Sequence, residues 1–212
     1  MSFRQLKEWK SCGLLLLLGL ASVAAGFVQV TTVNSASFSS DNLSHTLPIV
    51  IHVIAGITFN LVSPFQFAAP LRRKYPKIHR ATGRILIVSG MLAALTALWM
   101  NQFFADYGGN LKYSGIWAYC IIMFVAFYLA IKNILVRNVK NHRKWMMFAM
   151  ASALGPATQR VVFIPVFVIF GEEVMTDLVI GSVIWFGLLA NLAFVQWILF
   201  RENARAKALN KT

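Results

Sequence analysis

Acidic residues are scarce in this chain, seven against 20 Lys and Arg, and none lies inside its long apolar runs. An interior proton relay therefore has no carboxylate to use, which weighs against proton-coupled transport. Cysteine is limited to Cys12 and Cys120, neither in a loop facing an oxidising compartment, so no disulfide is expected. There is no Gly-rich phosphate loop and no Cys or His cluster at zinc spacing, which argues against ordinary soluble-enzyme chemistry. Charge is also low overall. With 13% charged and 58% hydrophobic residues and a mean hydropathy of +0.65, the composition excludes an ordinary soluble domain. A formal charge of +13 without a soluble basic domain to carry it does not indicate a nucleic-acid partner. Anionic lipid headgroups are the natural counter-charge, at about 1 kcal/mol per base near the surface.

What the chain does have is order in its charges. Eighteen of the 20 bases fall into four clusters: Arg4, Lys7 and Lys10; Arg72, Arg73, Lys74, Lys77, Arg80 and Arg84; Lys132, Arg137, Lys140, Arg143 and Lys144; Arg201, Arg205, Lys207 and Lys211. Asp41, Asp106, Glu172, Glu173 and Asp177 occupy the intervening loops, where Lys112 is the only base. The positive-inside rule then places both termini and both basic loops in the cytoplasm. The expected spans are 12–33, 47–67, 85–104, 113–136, 145–170 and 178–200, each near the roughly 20 residues that cross ~30 Å of hydrocarbon. Backbone satisfaction in lipid demands helices, and the alternation of a membrane barrel strand is absent. The expected fold is an all-α polytopic bundle of six transmembrane helices in a single domain, N-in and C-in.

The basic start, Leu14 to Leu18, and small residues at Ala24 and Ala25 also resemble a cleavable secretory signal. The apolar run continues through Phe27 and Val30 to Val33, so it reads as span one. Asn34 to His45 is the one extended external loop. Trp9, Tyr75, Tyr107, Tyr113, Trp145 and Trp185 fall mostly near predicted interfaces, where they read as anchors.

A weak repeat links two hairpins. Lys74-Tyr-Pro-Lys77-Ile-His79-Arg80 and Arg137-Asn-Val-Lys140-Asn-His142-Arg143 share basic-x-x-Lys-x-His-Arg, each just before an outward-running span. Spans 2–3 and 4–5 therefore look like a parallel duplication. Gly90 and Ala94 correspond to Ala153 and Ala157, small residues that allow close helix approach. Spans three and five are thus expected at the bundle centre and spans one and six at its periphery.

Arg160 is the costliest residue, about 22 Å into a ~30 Å span, where insertion of Arg costs roughly 2.5 to 3.5 kcal/mol at the centre. His52 lies at similar depth. A polar pocket lined by His52, Gln159 and Arg160 is one expectation, and Arg160 snorkelling to lipid phosphate or to Glu172, Glu173 or Asp177 is the alternative. Pro156 is expected to kink span five, and Ser63-Pro64-Phe65-Gln66 to bend the inner end of span two. Asn60 and Asn191, at equal depth, are expected to share an interhelical hydrogen bond.

In order along the chain, His52-x-x-x-Gly56, Pro64-Phe65-Gln66-Phe67, Arg72-Arg73, His79-Arg80-x-x-Gly83-Arg84 and His142-Arg143-x-Trp145-Met146 resemble the bacterial family of predicted membrane proteins catalogued as domain of unknown function 2306. The resemblance runs from His52 through Arg160. It implies a polytopic helical membrane protein and supplies no established activity; the expected location is the bacterial inner membrane. Thr82 and Leu86 stand where the pattern has larger aromatic residues.

Three functional readings follow. In the first, His79 and His142, level on two helices, ligate the iron of a single b-type haem, with Arg80 and Arg143 pairing its propionates and a quinone as the redox partner. In the second, the His-Arg pairs at helix N-termini, with Arg160 deeper in the path, bind or transport an anionic lipid or small molecule. In the third, the chain is a membrane scaffold or assembly subunit without a site, and only the Ala149, Ala153 and Ala157 stripe resists large residues.

Overall fold

In a computed structural model, residues 12–17, 19, 20, 22–24, 43–104 and 108–209 are described. Arg4, Lys7, Trp9, Lys10, Asp41, Asp106, Tyr107 and Lys211 lie outside them, as do the end of the expected first span and most of the external loop. The helices are α1 (Cys12–Ala24), α2 (Leu43–Gln66), α3 (Ala69–Lys74), α4 (Pro76–Phe103), α5 (Gly109–Leu135), α6 (Val139–Ala153), α7 (Gly155–Phe170) and α8 (Asp177–Leu209). A 3-10 turn, Glu172–Val174, joins the last two. Among the described residues there is no strand. Among the described residues five helical stretches, counting α6 and α7 as one, are long and apolar enough to cross a membrane. The protein is an all-helical polytopic bundle. The loops with the basic clusters share one end, called here the basic end, and the start of α2, the start of α5 and the α7–α8 turn form the far end.

Local chemistry sets the helix limits. Pro76 opens α4, a position where the missing N–H costs nothing and the fixed φ favours helix. The helix thus begins nine residues before the apolar run at Ile85, so His79, Arg80 and Arg84 are helical. Asn138 caps α6, its side chain accepting the Asn141 N–H at 3.1 Å. Gly108 and Gly109 start α5 with φ of 85° and 57°, a conformation that suits glycine. Gly108 N–H donates to Asp177 Oδ1 at 2.7 Å, tying the starts of α5 and α8 together. Span five breaks at Leu154, between α6 and α7. Pro156 has no N–H to offer the Ser152 carbonyl, which accounts for the break. By contrast α2 runs through Pro64 to Gln66, and Phe67 N–H then closes on the Pro64 carbonyl at 3.2 Å.

The most extensive packing lies within the two hairpins, α2 on α4 and α5 on α6. In the first, Gln66 Nε2 donates to Thr82 Oγ1 at 2.6 Å. The expected centre is corrected. Helix α5, span four, is the hub, packing on α4, α6 and α8. The close approach at Gly90 serves α5 and α2, since a Cβ there would stand 2.6 Å from the Phe127 ring and 3.1 Å from Phe59. Span six is not peripheral either. Gly181 and Gly187 let α8 approach α5 and α7, with Leu111 and Gln159 where their Cβ atoms would be. In lipid, such packing and interhelical hydrogen bonds, rather than water exclusion, hold helices together. The expected Asn60–Asn191 bond is absent: Asn191 accepts from Thr158 Oγ1 at 2.9 Å and donates to the Ala151 carbonyl at 3.0 Å, whereas Asn60 Nδ2 donates within its own helix to the Gly56 carbonyl at 2.9 Å.

At 33 residues, α8 is about 50 Å long, well beyond ~30 Å of hydrocarbon. Its last nine residues, Arg201 to Leu209, are all exposed.

Candidate functional site

Small residues on several helices leave a cavity of about 570 Å³ between α1, α2, α4, α5 and the broken span five. Gly56 is one reason for it, since a Cβ there would meet nothing within 4 Å. Ala93, Ala94, Ala97 and Ala153 also line it. The walls are mostly apolar, so each polar group in them is informative.

His52, Gln159 and Arg160, singled out from span depth alone, all line this cavity. His52 Nδ1 lies 2.9 Å from the Ala93 carbonyl. A carbonyl only accepts, so Nδ1 carries the proton and neutral His52 keeps an acceptor at Nε2. Gln159 Nε2 donates to the Tyr119 hydroxyl, and that hydroxyl donates to the Ile184 carbonyl, both at 3.1 Å. The Tyr119 ring lies where a Cβ of Gly155 would be, so this side chain of α5 reaches the first residue of α7 at the break.

Among the described residues, Arg160 does not reach an acid. Its Nη1 donates to the Pro156 carbonyl at 2.9 Å and to Ser22 Oγ at 3.3 Å, both neutral acceptors. Asp177, one of its expected partners, serves Gly108 instead. The remaining guanidinium donors, Nε and Nη2, have no acceptor among the described residues. No acidic side chain lines the cavity among the described residues. A half-buried guanidinium held this way is set up for a bidentate anion.

Toward the basic end the lining changes character. Asn60 and Ser152, 8% and 2% exposed, each carry a buried oxygen, Oδ1 and Oγ, with no hydrogen-bond partner among the described residues. The Asn60 amide cannot be reversed to relieve this, because its nitrogen is needed by the Gly56 carbonyl. Buried polar atoms without partners are uncommon and often mark a ligand or water position. Asn101 Oδ1 is a third such atom, on α4 eight residues beyond Ala93 toward the far end.

The other predicted residues lie at the basic end. His142 Nδ1 donates to the Ala130 carbonyl at 2.9 Å, and His79 sits within electrostatic reach of His142. Both rings are partly exposed. Arg143 is committed to a bidentate pair with Glu202 of α8, at 2.6 and 2.8 Å, while Arg80 is exposed. Neither histidine lines the large cavity or the apolar groove between α2 and α4.

Ser152 and Tyr119 were not anticipated from the sequence. Ser152 had one available signal, its place four residues before Pro156, and Tyr119 had its depth, midway along an apolar helix.

Helical spans around a chamber with one guanidinium and several hydrogen-bonding groups define a multi-pass integral membrane protein. The chain belongs to the predicted membrane protein family DUF2306, which matches residues 49–199. Comparison with curated proteins and with solved structures gives no match.

Proposed function

We propose that the protein binds an anionic group, carboxylate or phosphate, in the cavity between its helices. The observation that carries this reading is the Arg160 guanidinium, half-buried against the cavity with only neutral acceptors among the described residues. A cation in that setting is costly unless an anion joins it, and hydrogen bonds to charged groups are worth roughly 1.5–3 kcal/mol. Under the positive-inside rule the basic end is cytoplasmic, both termini are inside and Arg160 lies in the outer half of a bacterial inner membrane. The anion is then a lipid-borne or free solute reaching the site from the outer side.

Thermal unfolding of the protein in uncharged detergent tests this, with inorganic phosphate and decanoate as probes and decanol as the neutral control. Saturable stabilisation by an anion but not by decanol, lost in Arg160→Gln, is the expected result. A response to phosphate identifies a free-anion site, and a response to decanoate alone identifies a site for anions on an apolar chain. Stabilisation unchanged in Arg160→Gln refutes the assignment.

A second reading, a single b-type haem at His79 and His142, has one observation in its favour. The Nδ1–H of His142 is held by the Ala130 carbonyl, which leaves Nε2 available to iron. A sharp reduced b-type band in the dithionite spectrum, lost in His79→Ala and in His142→Ala, is its signature. A colourless, stably folded protein from haem-replete cells removes it, together with the quinone as partner.

A further inference from the structure

A second hollow, a groove of about 550 Å³ between α2 and α4, shares no lining residue with the central cavity. From α2 it takes Ile51, Ile54, Ala55 and Thr58, the spacing of one helix face, whereas His52, Gly56 and Asn60 of the same helix line the cavity. Small residues make its floor: Ala55 and Ser89 are 5% and 6% exposed. Its rims are large and apolar, with Ile54, Ile85 and Val88 each more than half exposed. Thr58 and Ser89 donate to their own helices, at the Ile54 and Leu86 carbonyls 2.8 and 3.1 Å away, so neither hydroxyl proton is left for an occupant. A groove of this kind on membrane-spanning helices faces hydrocarbon, and its walls gain contacts only from an apolar group lying in it.

Arg84 closes the groove toward the basic end. Because α4 begins at Pro76 and not at the apolar run, Arg84 is helical and Arg80 stands about one turn before it. The Arg84 side chain is exposed, and it has no hydrogen bond or ion pair among the described residues. A second copy of this chain, laid in the groove with basic end beside basic end, would bring it no counter-charge. Among the described residues the one acid at that end is Glu202, already held by Arg143. A phospholipid brings both parts at once, an acyl chain for the groove and a phosphate for the guanidinium at its edge. The length also suits one leaflet. From Arg84 to Leu92, the last α4 residue of the lining, the helix rises about 12 Å, most of the ~15 Å that one leaflet contributes to ~30 Å of hydrocarbon.

We propose that the α2–α4 groove is a binding site for one anionic phospholipid of the leaflet at the basic end. Its phosphate pairs with Arg84, with Arg80 adjacent, and one acyl chain runs toward Leu92 over Ala55 and Ser89. This site does not rest on the anion-binding reading of the cavity.

Native mass spectrometry of the purified full-length chain in uncharged detergent tests it, with titrations of phosphatidylglycerol and of phosphatidylcholine bearing the same acyl chains. Phosphatidylcholine has the same phosphate neutralised by its own ammonium. Wild-type protein is expected to bind a first phosphatidylglycerol roughly fivefold more tightly, the effect of one base on an anionic headgroup. Arg84→Gln should bring the two lipids to parity, whereas Arg160→Gln, in the cavity, and Arg205→Gln, on the exposed end of α8, should keep the preference. Val88→Trp fills the groove from an exposed position, so it should weaken both lipids while the melting temperature stays near wild type. Equal affinity of wild-type protein for the two lipids, or a preference that survives Arg84→Gln, overturns the site. A preference lost in Arg160→Gln puts the lipid in the cavity instead, and one lost equally in Arg205→Gln reduces it to general attraction between bases and headgroups; either result overturns the groove as its seat. Undiminished lipid binding by Val88→Trp does so as well, and a dimer in place of the lipid-bound monomer gives the groove to a second copy and overturns the proposal.

Discussion

The basic end and the cavity hold cations in opposite ways. At the basic end the bases are many and mostly exposed, and their partners are ordinary ones. Arg143 forms its fork with Glu202, and Lys74, Lys144 and Arg201 lie 5.2, 5.1 and 4.9 Å over the rings of Tyr75, Trp145 and Trp197. Such contacts fit a surface that meets headgroups and water, where an ion pair contributes little. In the cavity a single guanidinium rests on a backbone carbonyl and a serine. Clustered charge marks where the membrane ends, whereas the half-buried Arg160 guanidinium, beside Lys112 in the same lining, is where the proposed anion would bind.

Six substitutions would break or sharpen this contrast. Arg160→Gln should lower affinity for decanoate by about tenfold or more, as expected when charged hydrogen bonds are lost, while Arg143→Gln leaves it unchanged; ligand titrations of both variants decide. A pair of glycine variants comes next. Gly155→Leu drives a side chain into the Tyr119 ring and should destabilise the bundle by about 1–3 kcal/mol. Gly56→Leu grows into open space, so its melting temperature should stay near wild type while anion binding fails because the chamber is filled. If Gly56→Leu binds normally, the cavity is not the binding site. Thr158→Val removes the hydroxyl that reaches Asn191 and should lower stability by roughly 0.6 kcal/mol, detectable in a reversible unfolding titration. The smallest effect belongs to Glu202→Gln, at about 0.2–1 kcal/mol and shrinking with added salt. An effect larger than that of Gly155→Leu would mean that the basic end is not merely a surface.

Much of the fold was legible because hydrophobic length and charge clustering are local properties. The apolar runs and basic clusters located the spans, and Pro156 marked the break in span five. The start of α4 was hidden because Pro76 and the polar residues after it form helix ahead of the apolar run. The bundle centre was misread for another reason: a small residue announces that something comes close without saying what. At Gly90 it is Phe127 of α5. Equal depth likewise put Asn60 and Asn191 together, although depth does not specify the side of the helix.

For the cavity, depth did bring His52, Gln159 and Arg160 to one place, because Arg and His in apolar spans are rare enough to attract notice. Ser152 was invisible because hydroxyls in such helices normally bond to their own backbone. Thr58, Ser89, Thr96 and Ser114 do so, to the carbonyls of Ile54, Leu86, Leu92 and Leu111. Only the structure distinguishes the serines that do not, Ser63 and Ser152. The motifs of the family resemblance carry mixed loads. Gln66 fastens α2 to α4 through Thr82 and His142 fastens α6 to α5 through Ala130, whereas Gly56 opens the chamber.

The length of α8 has a mechanical consequence. Beyond Phe200 the helix continues for nine exposed residues, about 13 Å, braced near its root by the fork from Arg143 to Glu202. Alanines at 204, 206 and 208 favour continued helix without any packing. A protein fused after Leu209 would thus sit on a short mast, its stand-off from the lipid surface set by helical rise and its bearing by one ion pair.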